Sequence, residues 1–363
     1  MARLPVARSV VAAATAASAA CTIWAAIDDP YKGEAVAPDG GQPPDGAADS
    51  PLDAGPGAVN HFLDAGFHPY AIASYGDTVY VVDDGARVHV AYDAGTTFET
   101  FWDGDGGGEF ITTNKIAASA AGVFWTVTKG IRYCALDGGA CGFLSRTDGP
   151  TLIAASDSVV AWADDGGITR CTVPLSPLGC LGLAPGSSPN SIAVGPDGTV
   201  AWVTKGATLL RFNGPGGHGA LPLPFPADVI AGDVDAGALY WVGLNAVGFV
   251  PFDGLVADTD SGSTTSTLAL GAPPTQLFAA GGAVYWSLPD TTTPNTPNST
   301  ALSYCPHFVS AEGCVSQLLA TARNVTDDQG IVVTSRLLMA VLTNPNAGRA
   351  ELFVVPSPAV PGK

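Results

Sequence analysis

The sequence predicts an all-β fold, a seven-bladed β-propeller of four-stranded antiparallel blades. Three observations indicate it: a phrase recurs seven times between Pro69 and Val354, five copies hold a tryptophan at one position, in three of them as part of an aromatic doublet, and glycine (45) and proline (29) are abundant while 47% of residues are hydrophobic. A unit of about 40 residues with several short strands cannot bury its own faces, so such units stack radially against one another.

The register of the repeat follows from two positions in each copy. The first is an apolar opener in strand a, and the second is a marker in strand b, 8 to 11 residues later. The openers are Ile72, Ile116, Ile153, Ile192, Ile230, Leu277 and Val325, and the markers are Val81, Trp125, Trp162, Trp202, Trp241, Trp286 and Val333. Because the tryptophans recur at the same position of strand b, we predict that they belong to the core between the blades and do not form an exposed row that stacks against sugars.

The seventh copy lacks a strand at its C-terminal end. Prolines follow its strand c at Glu351–Val355, whereas an unassigned apolar stretch, Ala58–Leu63, precedes the first opener. We predict that this stretch supplies the missing strand d and closes the ring, because a closed ring leaves fewer exposed edges. The propeller domain is accordingly predicted to span 58–357.

The N-terminus has the pattern of an export signal. Arg3 and Arg8 precede an apolar run, Val10–Ala20, which ends at Cys21. The last residues before Cys21 resemble the lipobox of bacterial lipoproteins, although the usual leucine is here Ser18. We predict a signal peptide over 1–21 with Cys21 as the lipidated residue; ordinary cleavage near Ala19 and an uncleaved anchor are the alternatives.

Residues 22–57 are rich in proline, glycine, alanine and aspartate and poor in aromatic residues. Such a segment buries too little apolar surface to offset the entropy of ordering it, so we predict a disordered linker. Together with a lipidated Cys21, this linker predicts an exported protein that is anchored by lipid, either in the periplasm or on the outer cell surface.

The six remaining cysteines form three close pairs, each predicted to join strands c and d of one blade: Cys134 with Cys141, Cys171 with Cys180, and Cys305 with Cys314. We predict three disulfides and an oxidising compartment. Closing each short loop stabilises the fold by about 2 to 3 kcal/mol. Zinc binding is the rival interpretation, but the spacing is not CxxC and only His307 could complete a ligand set.

Several segments carry a wider likeness: Pro189–Val194, Gly198–Trp202, Leu239–Trp241 and Val284–Trp286. They resemble the YWTD and NHL-type propeller repeats, over nearly all of 66–356. This resemblance implies the fold and carries no active site with it. Those repeats hold an aspartate after the aromatic strand, which this chain has only in Asp83 and Asp164.

Antiparallel blades place their connections on two faces. We call the face with the d-to-a and b-to-c connections the first face, and the face with the a-to-b and c-to-d connections the second face. The disulfides are predicted on the second face, whereas the first bears the insertions 289–300 and 343–349. Binding residues concentrate on loops of a rigid scaffold. The candidate binding residues on the first face are therefore Asp103, Asp105, Lys129, Asp164 and Lys205, and a ligand is also expected at the mouth of the central channel.

Composition and motifs exclude several functions. With 33 acidic and 15 basic residues, the net charge of −18 disfavours nucleic acid and an anionic membrane surface, which leaves the N-terminal anchor as the membrane contact. We find no nucleophile elbow, zinc-protease helix or phosphate loop, so no catalytic residue is assigned. Asp103, Asp105 and Glu109 do not follow the order of ligands in a calcium loop, so no metal site or cofactor is predicted.

The sequence therefore favours a monomeric, exported and tethered propeller that binds or assembles a protein, peptide or glycan partner. Two alternatives remain. One is a propeller enzyme, a lyase or lactone hydrolase that uses a divalent cation at the channel mouth. The other is a structural lipoprotein of the cell envelope.

Overall fold

The computed structural model describes residues 61–63, 65–104, 115–147, 149–173, 179–255, 266–270, 272–289, 299–306, 316–323, 327–344 and 349–358. The predicted signal peptide, Cys21 and the linker lie outside the described residues, as do Asp105 and most of the two insertions. In the described ranges, no helix has the length and apolar character that crossing a membrane requires.

The described residues form seven four-stranded antiparallel sheets, which confirms the predicted seven-bladed propeller. The first strand of the described residues, β1 (His61–Leu63), belongs to the seventh sheet. Blade 1 consists of β2 (Pro69–Tyr75), β3 (Thr78–Asp83), β4 (Val88–Ala91) and β5 (Glu99–Trp102). Blade 2 consists of β6 (Ile116–Ser119), β7 (Gly122–Val127), β8 (Gly130–Cys134) and β9 (Cys141–Ser145). Blade 3 consists of β10 (Leu152–Ala155), β11 (Val159–Asp164), β12 (Gly167–Thr172) and β13 (Cys180–Pro185).

Blade 4 consists of β14 (Ser191–Val194), β15 (Val200–Val203), β16 (Ala207–Gly214) and β17 (Gly217–Ala227). Blade 5 consists of β18 (Val229–Asp233), β19 (Ala238–Gly243), β20 (Ala246–Pro251) and β21 (Ser266–Ala269), with a 3-10 turn at Phe252–Gly254. Blade 6 consists of β22 (Gln276–Ala280), β23 (Ala283–Pro289), β24 (Ser299–Cys305) and β25 (Gln317–Arg323). Blade 7 consists of β26 (Asp327–Val333), β27 (Leu337–Asn344), β28 (Arg349–Pro356) and β1.

The opener and the marker of a blade are direct cross-strand partners in the first six blades. The pairs are Ile72 with Val81, Ile116 with Trp125, Ile153 with Trp162, Ile192 with Trp202, Ile230 with Trp241, and Leu277 with Trp286. Side chains that lie opposite each other on one face of a sheet pack together. The regular spacing of opener and marker in the sequence therefore arises because these two residues contact each other across the hairpin.

The predicted register of the seventh blade is wrong. Val333 ends β26, which is strand a of this blade, whereas strand b is β27. The pairing residues are Ile331 with Ala340 and Val332 with Met339, and Val325 lies outside the described residues. The error has a clear cause: strand b of this copy contains no aromatic residue, and its apolar stretch is divided into two strands by the turn at 334–336.

The aromatic doublet of strand b packs two blades at once. Trp125 of blade 2 lies in a core cluster with Tyr80 of blade 1, and Trp286 of blade 6 lies in one with Tyr240 of blade 5. Because side chains alternate along a strand, the marker faces the preceding blade and the residue before it faces the following blade. The five tryptophans at the marker position are between 0% and 5% exposed, which confirms their core role.

Blade 7 combines strands from distant parts of the chain. β1 pairs antiparallel with β28, with His61 opposite Val354 and Leu63 opposite Leu352. Ile72 and Val81 of blade 1 share a buried cluster with Met339 and its neighbours in blade 7. The first and last blades are thus in apolar contact; residues 58–60 of the predicted strand lie outside the described residues.

Two of the predicted disulfides are present in the described chain. Cys134 bonds to Cys141 and Cys171 bonds to Cys180, with Cα separations of 4.1 and 4.0 Å. The residues of each pair lie directly opposite each other on strands c and d. Cys305 is also disulfide-bonded, and Cys314 lies outside the described residues.

Gly248 shows how tightly the doublet is packed. It lies directly opposite Trp241 on the neighbouring strand, and a Cβ at this position would collide with the indole. Gly182, on the outer strand of blade 3, has no atom within 4 Å of an added Cβ. Packing therefore requires a glycine at position 248, whereas position 182 has room for a larger residue.

We predict that Gly248→Ala lowers the free energy of unfolding by about 1 to 3 kcal/mol, because the indole must move in a close-packed core. Gly182→Ala is the matched control and is expected to be neutral or stabilising by up to about 1 kcal/mol, through the unfolded state. Urea unfolding of both variants checks this. Equal changes in the free energy of unfolding for the two variants would show that the contact with Trp241 does not restrict the residue at position 248.

Candidate functional site on the first face

The two faces of the propeller differ in charge. In the described connections, the first face carries Arg87, Lys115, Lys129, Arg146 and Lys205 beside Asp84, Asp103, Asp165 and Asp228. The described connections of the second face carry Asp77, Asp93, Asp137, Asp157, Asp197, Asp235 and Asp253, with Arg336 as their one basic residue. The first face therefore offers cations to an incoming partner although the whole chain is strongly acidic.

The predicted binding residues that the structure describes all lie at the first face, but on different blades. Asp103 follows blade 1, Lys129 lies in blade 2, Asp164 in blade 3 and Lys205 in blade 4. Asp103, Lys129 and Lys205 are exposed. The structure thus distributes them around the face, with no single cluster that holds all four, and Asp105 is outside the described residues.

Asp164 ends β11 and is hydrogen-bonded to the turn that comes after it. Its Oδ1 accepts a hydrogen bond of 2.8 Å from the Gly166 amide, and its Oδ2 accepts one of 2.8 Å from the Thr147 hydroxyl. The carboxylate joins the b-to-c turn of blade 3 to the connection that enters this blade. Its described contacts therefore support the loops of the face.

The turn that carries Lys205 is fixed to blade 5 by Asp228. The Gly206 amide donates to Asp228 Oδ1 (3.1 Å), and the Asp228 amide donates to the Val242 carbonyl (2.8 Å). Asn190 Nδ2 donates to the Asp228 carbonyl (2.6 Å). Three segments of blades 4 and 5 thus meet at one half-buried aspartate, which holds the Lys205 turn beside strand b of blade 5.

Leu244 lies two residues beyond Val242, in the tight turn between β19 and β20. Its side chain is 60% exposed and its φ is 49°. The next residue, Asn245, accepts a hydrogen bond of 2.6 Å from the Leu270 amide, which ties the turn to the connection that enters blade 6. We call Lys205, Asp228, Leu244 and Leu270 the blade 4–5 corner.

Asp83 forms the most polar cluster of the first face. Its buried carboxylate accepts hydrogen bonds from Arg87 Nε (2.7 Å), from the Gly85 and Arg87 amides (both 2.9 Å) and from His89 Nε2 (3.0 Å) when that nitrogen is protonated. Burial alone raises the pKa of Asp83, but the hydrogen bonds and the charge of Arg87 outweigh it and hold the pKa below its usual value.

This cluster also fixes the connection between blades 7 and 1. The ring of His89 stacks on Phe67 at 3.8 Å between ring centroids. The Asp84 amide donates to the His68 carbonyl (3.1 Å). Since Phe67 and His68 lie between β1 and β2, the Asp83 cluster holds the segment that joins the last blade to the first, and this structural role accounts for its contacts.

The mouth of the channel at the second face is acidic. Tyr75, Asp157 and Asp235 lie at the second-face ends of blades 1, 3 and 5, and burial, followed by the charges of Asp157 and Asp235, raises the pKa of Tyr75. Asp157 Oδ1 accepts a hydrogen bond of 2.9 Å from the Ala120 amide of the neighbouring blade. In the described part of the chain, no three histidine, cysteine, aspartate or glutamate side chains are placed to hold a metal.

The sequence pointed to Lys205, but not to the other three residues of the blade 4–5 corner. Asp228 was one of many loop aspartates, and nothing local connects it to Gly206, which is 22 positions away. Leu244 did leave a signal: the turn between two apolar strands reads Gly243-Leu244-Asn245. Tight hairpin turns of this kind favour asparagine or glycine, so a leucine there was already unusual.

The comparisons with known proteins agree with the fold. No protein-family model matches the chain, and no curated protein matches its sequence. A streptogramin B lyase structure is similar at 15% identity, covering 82% of this chain and 96% of that chain, with a TM-score of 0.56. A structure of YCF48 bound to D1 peptide is similar at 13% identity, covering 85% and 96%, with a TM-score of 0.53.

A structure of the mitotic checkpoint complex contains a third similar chain, at 11% identity, covering 88% of this chain and 96% of that chain, with a TM-score of 0.57. The lyase and YCF48 are β-propeller proteins. At such low identity the similarity shows the fold alone, because one propeller scaffold supports unrelated sites.

We predict that Asp83→Asn destabilises the protein most at neutral pH. A lowered carboxyl pKa contributes stability that is fully present above the pKa of the unfolded chain, about 3.9, and that is lost as pH falls through the folded pKa. The difference in urea midpoint between wild type and variant should therefore narrow below about pH 4. The exposed Asp165→Asn variant is the control; a difference that does not vary with pH would refute this interpretation of Asp83.

Proposed function

We propose that this protein is an exported β-propeller that binds a protein or peptide partner through its first face. One observation carries the proposal: the turns of this face present cationic and apolar side chains, and hydrogen bonds such as those of Asp228 fasten the turns to one another. A surface that is already fixed loses little conformational entropy when it binds.

The ends of the described chain support an orientation. β1 begins and β28 ends on the second face, because they are strands d and c of blade 7. A tether that runs from a lipidated Cys21 to His61 would therefore attach opposite the binding face and leave this face accessible. The two hairpin disulfides support export to an oxidising compartment; the lipid anchor itself is part of the proposal.

A protein or peptide is favoured over a glycan. The tryptophans that could stack on sugars are buried between blades, as Trp241 and Trp286 show with 0% exposure. Among similar folds, YCF48 was solved bound to the D1 peptide. A peptide partner is therefore a known use of this architecture, and we extend it to this chain as a proposal.

The test maps where peptides bind. A phage-displayed library of random peptides is selected on the immobilised protein, and the enriched peptides are labelled and bound in solution. We expect slower hydrogen exchange in the first-face turns at 128–130, 204–206 and 244–245. The second-face turns at 156–158 and 196–198 are the internal control and should not change. Failure to enrich any peptide, or protection confined to the second face, would contradict the proposal.

Enzyme activity with a divalent cation is the second candidate. It is favoured by the carboxylates of Asp157 and Asp235, which lie in the a-to-b turns of blades 3 and 5 at the second face. If this candidate is right, calcium or magnesium should release or absorb heat in calorimetric titration and raise the melting temperature, with Asp157→Asn and Asp235→Asn reducing both effects. The absence of heat and of a melting shift would leave the enzyme hypothesis without its cation.

A further inference from the structure

The geometry points to the blade 4–5 corner as the anchor of the partner site. We propose that Leu244 receives an apolar side chain of an extended peptide, while Lys205 pairs with an aspartate or glutamate near it in the same peptide. This inference rests on the proposed first-face function and names the chemistry of the partner and the place where it is held.

Leu244 is in a conformation and an environment that folding alone does not explain. A φ of 49° lies in the left-handed region, which disfavours residues with a Cβ by roughly 1 to 2 kcal/mol. Its side chain is 60% exposed, so it gains little from burial in return. Asparagine or glycine would suit the turn better, and a strained backbone that holds an exposed leucine outward is typical of a functional contact.

The corner is held in place from both sides. The Asp228 hydrogen bonds join the Lys205 turn to Val242 at distances of 3.1 and 2.8 Å. On the other side, the Leu270 amide donates to the Asn245 carbonyl at 2.6 Å. Leu244 is therefore supported by blades 4 and 5 and by the connection to blade 6, where Leu270 is partly buried and Pro273 is exposed.

Charge complementarity selects the partner. Lys205 is exposed, and among the described carboxylates none forms an ion pair with it. A peptide carboxylate can therefore reach the ammonium group without displacing such a pair. A peptide that places an acidic residue near an apolar one would contact Lys205 and Leu244 together, whereas a basic residue at the same position of the peptide would be repelled by Lys205.

The first experiment uses Leu244→Asn in the full-length protein and the peptides enriched from the random library. The variant should melt a few degrees higher, since asparagine tolerates the left-handed conformation, and it should bind the peptides about tenfold or more weakly by fluorescence polarisation. Leu181→Asn is the matched control, because Leu181 is 62% exposed on the outer strand of blade 3. Its affinity for the peptides should equal that of the wild type.

The second experiment compares one exposed cation on each face. Lys205→Glu should weaken binding of the peptides about tenfold, whereas Arg336→Glu, in the exposed second-face turn of blade 7, should change the affinity less than about twofold. The enriched sequences should pair an acidic with an apolar residue. Unchanged affinity in Leu244→Asn, equal losses of affinity in Lys205→Glu and Arg336→Glu, or enriched sequences without acidic residues would overturn the assignment of this anchor. Slower hydrogen exchange in the first-face turns would then still support peptide binding at this face. If the exchange in these turns did not slow, both the proposed function and the anchor at the blade 4–5 corner would be contradicted.

Discussion

The packing of one blade against the next is the interaction on which the rest of this protein depends. Strand b supplies it through two adjacent side chains: the marker, such as Trp286, faces the preceding blade, and the residue before it, Tyr285, faces the following blade. A single four-stranded sheet would leave both of these aromatic faces in water. Each blade is therefore stable only between two neighbours, and the last blade requires the first, which Val81 and Met339 satisfy in a shared cluster.

Aspartates add polar links to this apolar packing, and their surroundings give them opposite properties. Asp77 accepts hydrogen bonds of 2.7 and 2.8 Å from Ser335 across the junction of blades 1 and 7, and Asp233 accepts one of 2.7 Å from the Gly282 amide of blade 6. Burial raises the pKa of Asp233 despite its hydrogen bonds. At Asp83, by contrast, the hydrogen bonds and the charge of Arg87 outweigh burial and lower the pKa. Much of the acidity of the second face is thus structural.

The first face combines rigidity with a local departure from the most stable turn. Its loops are joined by hydrogen bonds that the carboxylates of Asp164 and Asp228 accept from neighbouring turns, so the turns are fixed to the strands of the blades. Against this background, the exposed Leu244 in a left-handed conformation is the residue at which stability and binding have different requirements. A fixed surface with one strained apolar contact suits the recognition of an extended chain, since the partner finds its contact already formed.

The sequence by itself determined the blades, because the spacing of opener and marker is the spacing of two residues that face each other across a hairpin. It determined the pairing of Cys134 with Cys141 and of Cys171 with Cys180 for the same local reason. It failed at Val333, where no aromatic residue marks the strand. Only the tertiary structure brought Asp77 to Ser335, 258 positions apart, and placed Asp228 between Gly206 and Val242. Such contacts depend on how neighbouring blades pack against each other. The periodicity of the sequence within one blade contains no information about that packing.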